Sequence, residues 1–140
     1  MLANKSFIYG LENMESLATV LLNDFKNYKK WALYGDMGSG KTTLTKKLIK
    51  LLGSVDEGSS PTFTIANQYQ TGQALIYHLD LYRLHSIQDA FNAGIYEIIQ
   101  SESYCFIEWP ELIEDWIDKD WLKIKILPLG ESSRLLQVLG

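Results

Sequence analysis

The stretch Gly35-Asp36-Met37-Gly38-Ser39-Gly40-Lys41-Thr42 has the spacing G-x-x-x-x-G-K-[ST], and no other stretch constrains the chain as much. The apolar run Trp31-Ala32-Leu33-Tyr34 precedes it and reads as a buried strand. Residues 42–52 follow, with Leu44, Leu48, Leu51 and Leu52 at helical spacing. Strand, glycine-rich turn and helix in that order commit the chain to an α/β arrangement. The glycines allow backbone angles closed to other residues and let amides approach an anion closely. Those amides and the N-terminus of the following helix form an anion cradle. Gly35, Asp36, Met37, Gly38, Ser39, Gly40, Lys41, Thr42 and Thr43 are therefore the candidate nucleotide-binding residues. Lys41 is expected to reach the β- and γ-phosphates in a catalytic role, and the Thr42 hydroxyl to ligate Mg²⁺. The bland alternative is an ordinary glycine turn before a helix. It leaves the Lys41-Thr42 pair and the flanking context to chance.

A chain of 140 residues predicts a single domain, 1–140, with a real core. Thirteen lysines and arginines against seventeen acids give a net charge of −4. That balance argues against a nucleic-acid-binding surface, because affinity for phosphate backbones grows with positive contacts. Lys46, Lys47 and Lys50 read as a solvated helix face. Cys105 is the only cysteine, so no internal disulfide forms, and in Tyr104-Cys105-Phe106-Ile107 it reads as a buried structural thiol. No apolar run is long enough to span a bilayer, and no apolar signal core opens the chain. A cytoplasmic location follows as the expectation.

Along the chain, residues 6–9 read as an edge strand and 13–28 as an amphipathic helix with Leu17, Val20, Leu21 and Phe25 on one face. Gly53 ends the helix after the loop. Residues 54–61 are a polar loop. Residues 62–70 and 74–79 form a hairpin about Thr71-Gly72. Residues 86–100 are one or two short helices broken near Gly94, and 104–109 a buried strand. Pro110 opens a helix with Leu112, Ile113, Trp116 and Ile117 as its apolar set. Residues 122–127 and 135–139 are strands, joined by a turn at 130–133. The order predicts an α/β, P-loop NTPase-like three-layer fold, parallel core strands with antiparallel additions.

Loops of this kind need an acid at the end of a neighbouring strand to hold Mg²⁺, directly or through water. Glu108 ends Cys105-Phe106-Ile107 and is the candidate metal ligand alongside Thr42. Asp80 ends Ile76-Tyr77-His78-Leu79 and is a candidate either for contacting the metal through water or for orienting the attacking water. Either acid could instead face solvent or cap a helix. Ser60-Pro61-Thr62 lies where a hydroxyl can sense the γ-phosphate, so Ser60 and Thr62 are candidate switch residues. His78 reads as a satisfied core histidine. Arg83 and Arg134 are the only arginines. Trp109 is either packing or a contact surface near the nucleotide.

Taken together, four segments resemble the TsaE (YjeE) family of bacterial P-loop ATPases. They are residues 35–43, Ser60-Pro61-Thr62-Phe63-Thr64, His78-Leu79-Asp80-Leu81-Tyr82-Arg83-Leu84 and Ile107-Glu108-Trp109-Pro110-Glu111. The resemblance spans nearly the whole chain. Met37 and Ser39 stand where Leu and Ala are commoner, which backbone-mediated binding tolerates. The resemblance implies a partner-dependent ATPase using ATP and Mg²⁺. It would act with the TsaB and TsaD proteins, which install threonylcarbamoyl on adenosine 37 of tRNAs reading ANN codons. It would reset that complex between turnovers without transferring the group, and tRNA would be held mainly by the partners. It further implies that Thr42 and Glu108 hold Mg²⁺, and that Asp80 and Trp109 serve hydrolysis and coupling. The loop of Glu131, Ser132 and Arg134 would approach the nucleotide base.

Other function classes fit less well. A small-molecule kinase usually needs several arginines on its lid and acceptor site, and two in the whole chain argue against one. No N-K-x-D guanine motif occurs. A nucleotide-gated binding module without hydrolysis is opposed by the intact Asp80 and Glu108 pair. Without a clear arginine finger, hydrolysis is expected to be slow alone. The isolated chain is expected to be a monomer.

Overall fold

Seven strands form one sheet, and the apolar run ahead of the glycine-rich turn is its middle strand. The computed structural model describes residues 5–54, 65–72 and 74–139. In chain order the elements are β1 (Lys5–Tyr9), α1 (Met14–Phe25), β2 (Lys30–Tyr34), α2 (Lys41–Leu51), β3 (Ala66–Gln70) and β4 (Leu75–Asp80). Then come α3 (Ile87–Asn92), α4 (Ile95–Gln100), β5 (Tyr104–Glu108), 3₁₀ turns at Pro110–Trp116, β6 (Leu122–Leu129) and β7 (Ser133–Leu139). The strand order is β1-β7-β6-β2-β5-β4-β3. β6, β2, β5 and β4 run parallel, while β7, β1 and β3 pair antiparallel at the flanks. The expected parallel core with antiparallel additions is present.

Alternation along β2 and β5 explains the layers. Successive strand residues face opposite sides. Trp31, Leu33 and Phe106 pack with α1 and α2, whereas Ala32, Cys105 and Ile107 pack with α3, α4 and the 3₁₀ turns. Both faces are therefore covered, and β2 and β5 are apolar apart from a polar residue at one end of each, as buried parallel strands tend to be. Cys105 is fully buried, and burial pushes its thiol up from its ordinary value. The Lys30 ammonium donates to the carbonyls of Ser101 and Ser103, tying the end of α4 to the start of β2.

The short helices have local causes. The Ser86 side chain accepts the Asp89 amide at 3.1 Å and caps α3. Gly94, at φ +83°, separates α3 from α4 as expected, since left-handed backbone breaks the helix.

Four expectations need correcting. Val20 is 41% exposed, and Met14 and Ala18 complete the buried face of α1 with Leu17, Leu21 and Phe25. In α2 the apolar face is Leu44, Leu48 and Ile49, while Leu51 is 37% exposed. The segment opened by Pro110 winds as 3₁₀ turns, interrupted where Ile113 takes φ −113° and ψ 29° to bury its side chain. β5 stops at Glu108 because Trp109 turns left-handed at φ 58°. Residues 62–64 of the expected hairpin strand, and Ser60 and Thr62 with them, lie outside the described residues. Among the described residues, no helix is long and apolar enough to cross a membrane.

Leu21 is fully buried and Val20, its neighbour, is not. Leu21→Ala is expected to cost about 2–5 kcal/mol. Val20→Ala should stay within about 0.5 kcal/mol. Urea unfolding of the two variants measures the difference, and equal costs would return Val20 to the core.

Candidate functional site

The parallel register aligns strand ends. Leu33 pairs with Glu108 across β2 and β5, and Asp80 pairs with Glu108 across β4 and β5. The chain leaves β2 one residue later and turns through the glycine-rich loop into α2. Both acids therefore arrive beside the loop, on the α2 side of the sheet. They meet a cleft of about 1030 Å³, at the upper end of ligand-pocket sizes.

Loop residues from Met37 to Thr43 line this cleft, together with Asp80, Glu108, Trp109, Ser132 and Arg134. Gly35 and Asp36 do not. They border a separate recess of about 390 Å³ with Tyr34, Glu111 and Lys125. Gly35 serves the loop from beneath. A Cβ there would meet the Ile126 carbonyl oxygen at 2.8 Å and Ser39 Oγ at 2.7 Å, so the strand-to-loop crossing has no space for a side chain. The loop closes with the Ser39 amide on the Asp36 carbonyl at 3.1 Å. Gly40, at φ +99°, delivers the chain into α2.

Lys41 is buried. Its ammonium donates to the Gly35 carbonyl and stands 3.7 Å from the centroid of the Trp109 ring. Burial pulls its pKa down, against the opposing pull of Glu108, Glu111, Asp80 and Asp36. Trp109 is the non-glycine residue with positive φ among the described residues. Such a conformation costs about 1–3 kcal/mol and tends to occur at functional sites. It sets the ring over Lys41 and 5.0 Å from the ring of Tyr82.

The Thr42 hydroxyl donates to the Glu108 carboxylate, 2.9 Å from Oε1 and 2.8 Å from Oε2. On the other side His78 Nε2 lies 2.5 Å from Oε2. Burial pushes the Glu108 carboxyl up. The hydrogen bond and electrostatic pull of His78, the Thr42 hydroxyl and the Lys41 ammonium outweigh that and hold it below its ordinary value. Asp80 is exposed, and its Oδ1 accepts the Tyr82 amide at 3.1 Å. A hydroxyl and a carboxylate are hard oxygen donors, the chemistry of a small divalent cation. Among the described residues no cluster of three or more His, Cys, Asp or Glu side chains could cage a metal by itself. A cation here would take its other ligands from phosphate and water, as small hard cations at phosphate sites do.

The C-terminal stretch reaches the cleft from β7. Arg134 Nε donates to the Ser39 carbonyl at 2.9 Å, so this guanidinium braces the loop backbone from β7. Ser132 and Glu131 line the same side of the cleft. Two neighbours escaped the sequence reading. Tyr9, the last residue of β1, lines the cleft with a buried hydroxyl that has no hydrogen-bond partner among the described residues. Burial pushes that hydroxyl up to about 12, against the pull of Arg134. His78 was expected to be a satisfied core histidine, yet it bonds the site carboxylate and its Nδ1 finds no partner among the described residues. The signal for it was the His-x-Asp alternation, which puts His78 and Asp80 on one face of a strand.

The sign of the Glu108 shift gives an acid-stability test. The unfolded chain takes up the proton near 4.5. The folded carboxylate resists until lower pH, so stability falls as pH drops through that window. Glu108→Gln should therefore lose less melting temperature than wild type between neutral pH and the acid side of that window. Parallel acid limbs for the two proteins would contradict the pairing.

The sequence profile described as "Threonylcarbamoyl adenosine biosynthesis protein TsaE" matches residues 9–136. A Bacillus subtilis protein named tRNA threonylcarbamoyladenosine biosynthesis protein TsaE is 37% identical over 102 residues, 73% of this chain and 63% of the relative. One of the same name from Rickettsia bellii is 30% identical over 139 residues, 99% of this chain and 96% of the relative. The chain thus spans under two-thirds of the Bacillus subtilis protein and half of a Haemophilus influenzae relative, but nearly all of the Rickettsia bellii one. The crystal structure of Bacillus subtilis YdiB superposes with a TM-score of 0.70 at 25% identity, over 99% of this chain and 86% of that one. The fold is that of P-loop nucleotide-binding proteins. With the profile covering almost the entire sequence, this chain belongs to the TsaE family.

Proposed function

We propose that the chain is a Mg²⁺-dependent ATPase that acts with the TsaB–TsaD complex in threonylcarbamoyl modification of adenosine 37 in tRNAs reading ANN codons. It drives turnover of that complex and does not transfer the group itself. The observation that carries this reading is the Thr42–Glu108 contact, a loop hydroxyl joined to a carboxylate at a strand end in the cleft beside the glycine-rich loop. Family membership supports the pathway.

In this reading the loop amides and the start of α2 bind the β- and γ-phosphates. Lys41 exchanges the Gly35 carbonyl for phosphate oxygens. Thr42 and Glu108 would hold Mg²⁺, which when bound would supply charge neutralisation at the phosphoryl group. Asp80, exposed at the cleft, orients the attacking water, and Trp109 couples the cleft to the docked partner. Ser60 and Thr62 keep their proposed switch role. Arg134 bonds the Ser39 and Ser133 carbonyls through Nε and Nη1, a bracing role that supports slow hydrolysis without partners. The acidic balance suits a protein that leaves tRNA to its partners, acting in the cytoplasm as a monomer between engagements.

ATP hydrolysis with Mg²⁺ should be well below ~1 per second alone. It should rise saturably on titration with the cognate TsaB–TsaD pair, and the rise should vanish in Glu108→Ala. Tight ATP binding with no hydrolysis under any of these conditions would leave a nucleotide-gated binding module instead. Nucleotide at about 100 times its dissociation constant should add about 2.7 kcal/mol to stability. Lys41→Ala should abolish most of that gain, and an equal melting shift in the variant would refute the cradle assignment.

A further inference from the structure

We propose that His78 is a positioning residue for the metal-binding carboxylate of Glu108, holding Oε2 from behind so that Oε1 and the Thr42 hydroxyl face the cleft together. The inference rests on the Mg²⁺ reading above and assigns a residue to it.

The register puts His78 opposite Phe106, one alternation below the Asp80–Glu108 pair, so all three polar side chains share the α2 face. His78 is 5% exposed and Glu108 3%. Their contact is the one hydrogen bond His78 makes among the described residues, because Nδ1 has no partner there. A histidine retained for packing alone would leave both ring nitrogens to be satisfied locally. Here Nδ1 finds no partner among the described residues, while Nε2 is committed to the carboxylate. An ionised carboxylate only accepts, so Nε2–H is the donor.

The Thr42 hydroxyl donates its one proton between Oε1 and Oε2 and so ties Glu108 from the loop side alone, its own lone pairs staying free for a cation. The His78 bond to Oε2 is a second, independent tether on the carboxylate. Partners that orient a ligating carboxylate in this way typically contribute ~10–100-fold to metal affinity.

The test uses the purified full chain, Mn²⁺ as the probe ion, and a non-hydrolysable ATP analogue. Mn²⁺ affinity is read by electron paramagnetic resonance, and analogue affinity in chelator by fluorescence. His78→Phe should weaken Mn²⁺ binding by ~10–100-fold and leave chelator-phase nucleotide affinity unchanged. Two further variants guard against misfolding. His78→Gln carries its amide donor near the Nε2 position, while His78→Asn carries it near Nδ1, short of Glu108. Gln should restore Mn²⁺ affinity and Asn should not. Equal Mn²⁺ affinity in the Gln and Asn variants overturns the inference, as does a parallel loss of metal-free nucleotide binding in every variant. A wild-type protein that binds the analogue but no Mn²⁺ sinks the metal reading itself.

Discussion

The pairing of Leu33 with Glu108 across β2 and β5 is the constraint on which the site depends. β2 must be central and doubly covered for its apolar run to be stable. β5 must lie beside it in parallel for a carboxylate to arrive level with the turn that leaves β2. A slip of one residue would reverse every side chain on β5. Phe106 would leave the α1–α2 core, and Glu108 would point into the layer of α3 and α4. Hydrophobic burial therefore enforces the register, and the register delivers the chemistry. The carboxylate is tolerated there because His78, Thr42 and Lys41 surround it with a bond donor on each side and a cation nearby.

Much of this was legible because its causes are local. The glycine spacing, the apolar strand before it and the helix after it lie in twenty-odd consecutive residues, and the structure keeps them within a residue of expectation. Glu108 and Asp80 were readable as acids that terminate apolar runs. What stayed hidden depends on pairing between distant segments. Nothing near Arg134 indicates that β7 lies two strands from β2 and brings a guanidinium to the Ser39 carbonyl. His78 looked like a core residue because its partner is thirty residues away. The misread faces of α1 and α2 have a different cause. Val20 and Leu51 sit at the margins of apolar arcs, where a few degrees of helix rotation decide between core and solvent. Which way it goes is set by packing on the sheet and not by spacing.

Strain and burial meet at Trp109. Left-handed backbone at an indole-bearing residue is unfavourable, so the fold must over-determine it. Pro110 follows with its φ fixed, and β5 ends one residue earlier in a ladder shared with two neighbours. The chain has no room to relax in either direction. The ring is thereby held across Lys41, where a cation over an indole face is worth about 0.5–2 kcal/mol depending on desolvation. Strain in the backbone is partly offset by the contact it makes possible.

That contact also bears on anion binding. Lys41 is engaged twice by its own surroundings, by the Gly35 carbonyl and by the Trp109 ring. Any anion seated in the loop would compete with both contacts for the ammonium. The same indole leans on Tyr82, which is 54% exposed. Lys41, Trp109 and Tyr82 thus form a continuous run of contacts from the loop to an exposed ring. Arg134 braces the loop backbone apart from this run, because its bond is to the Ser39 carbonyl and not to Lys41. The division is physical: backbone contacts hold the loop's shape, and the contacts of one lysine run outward to the aromatic pair.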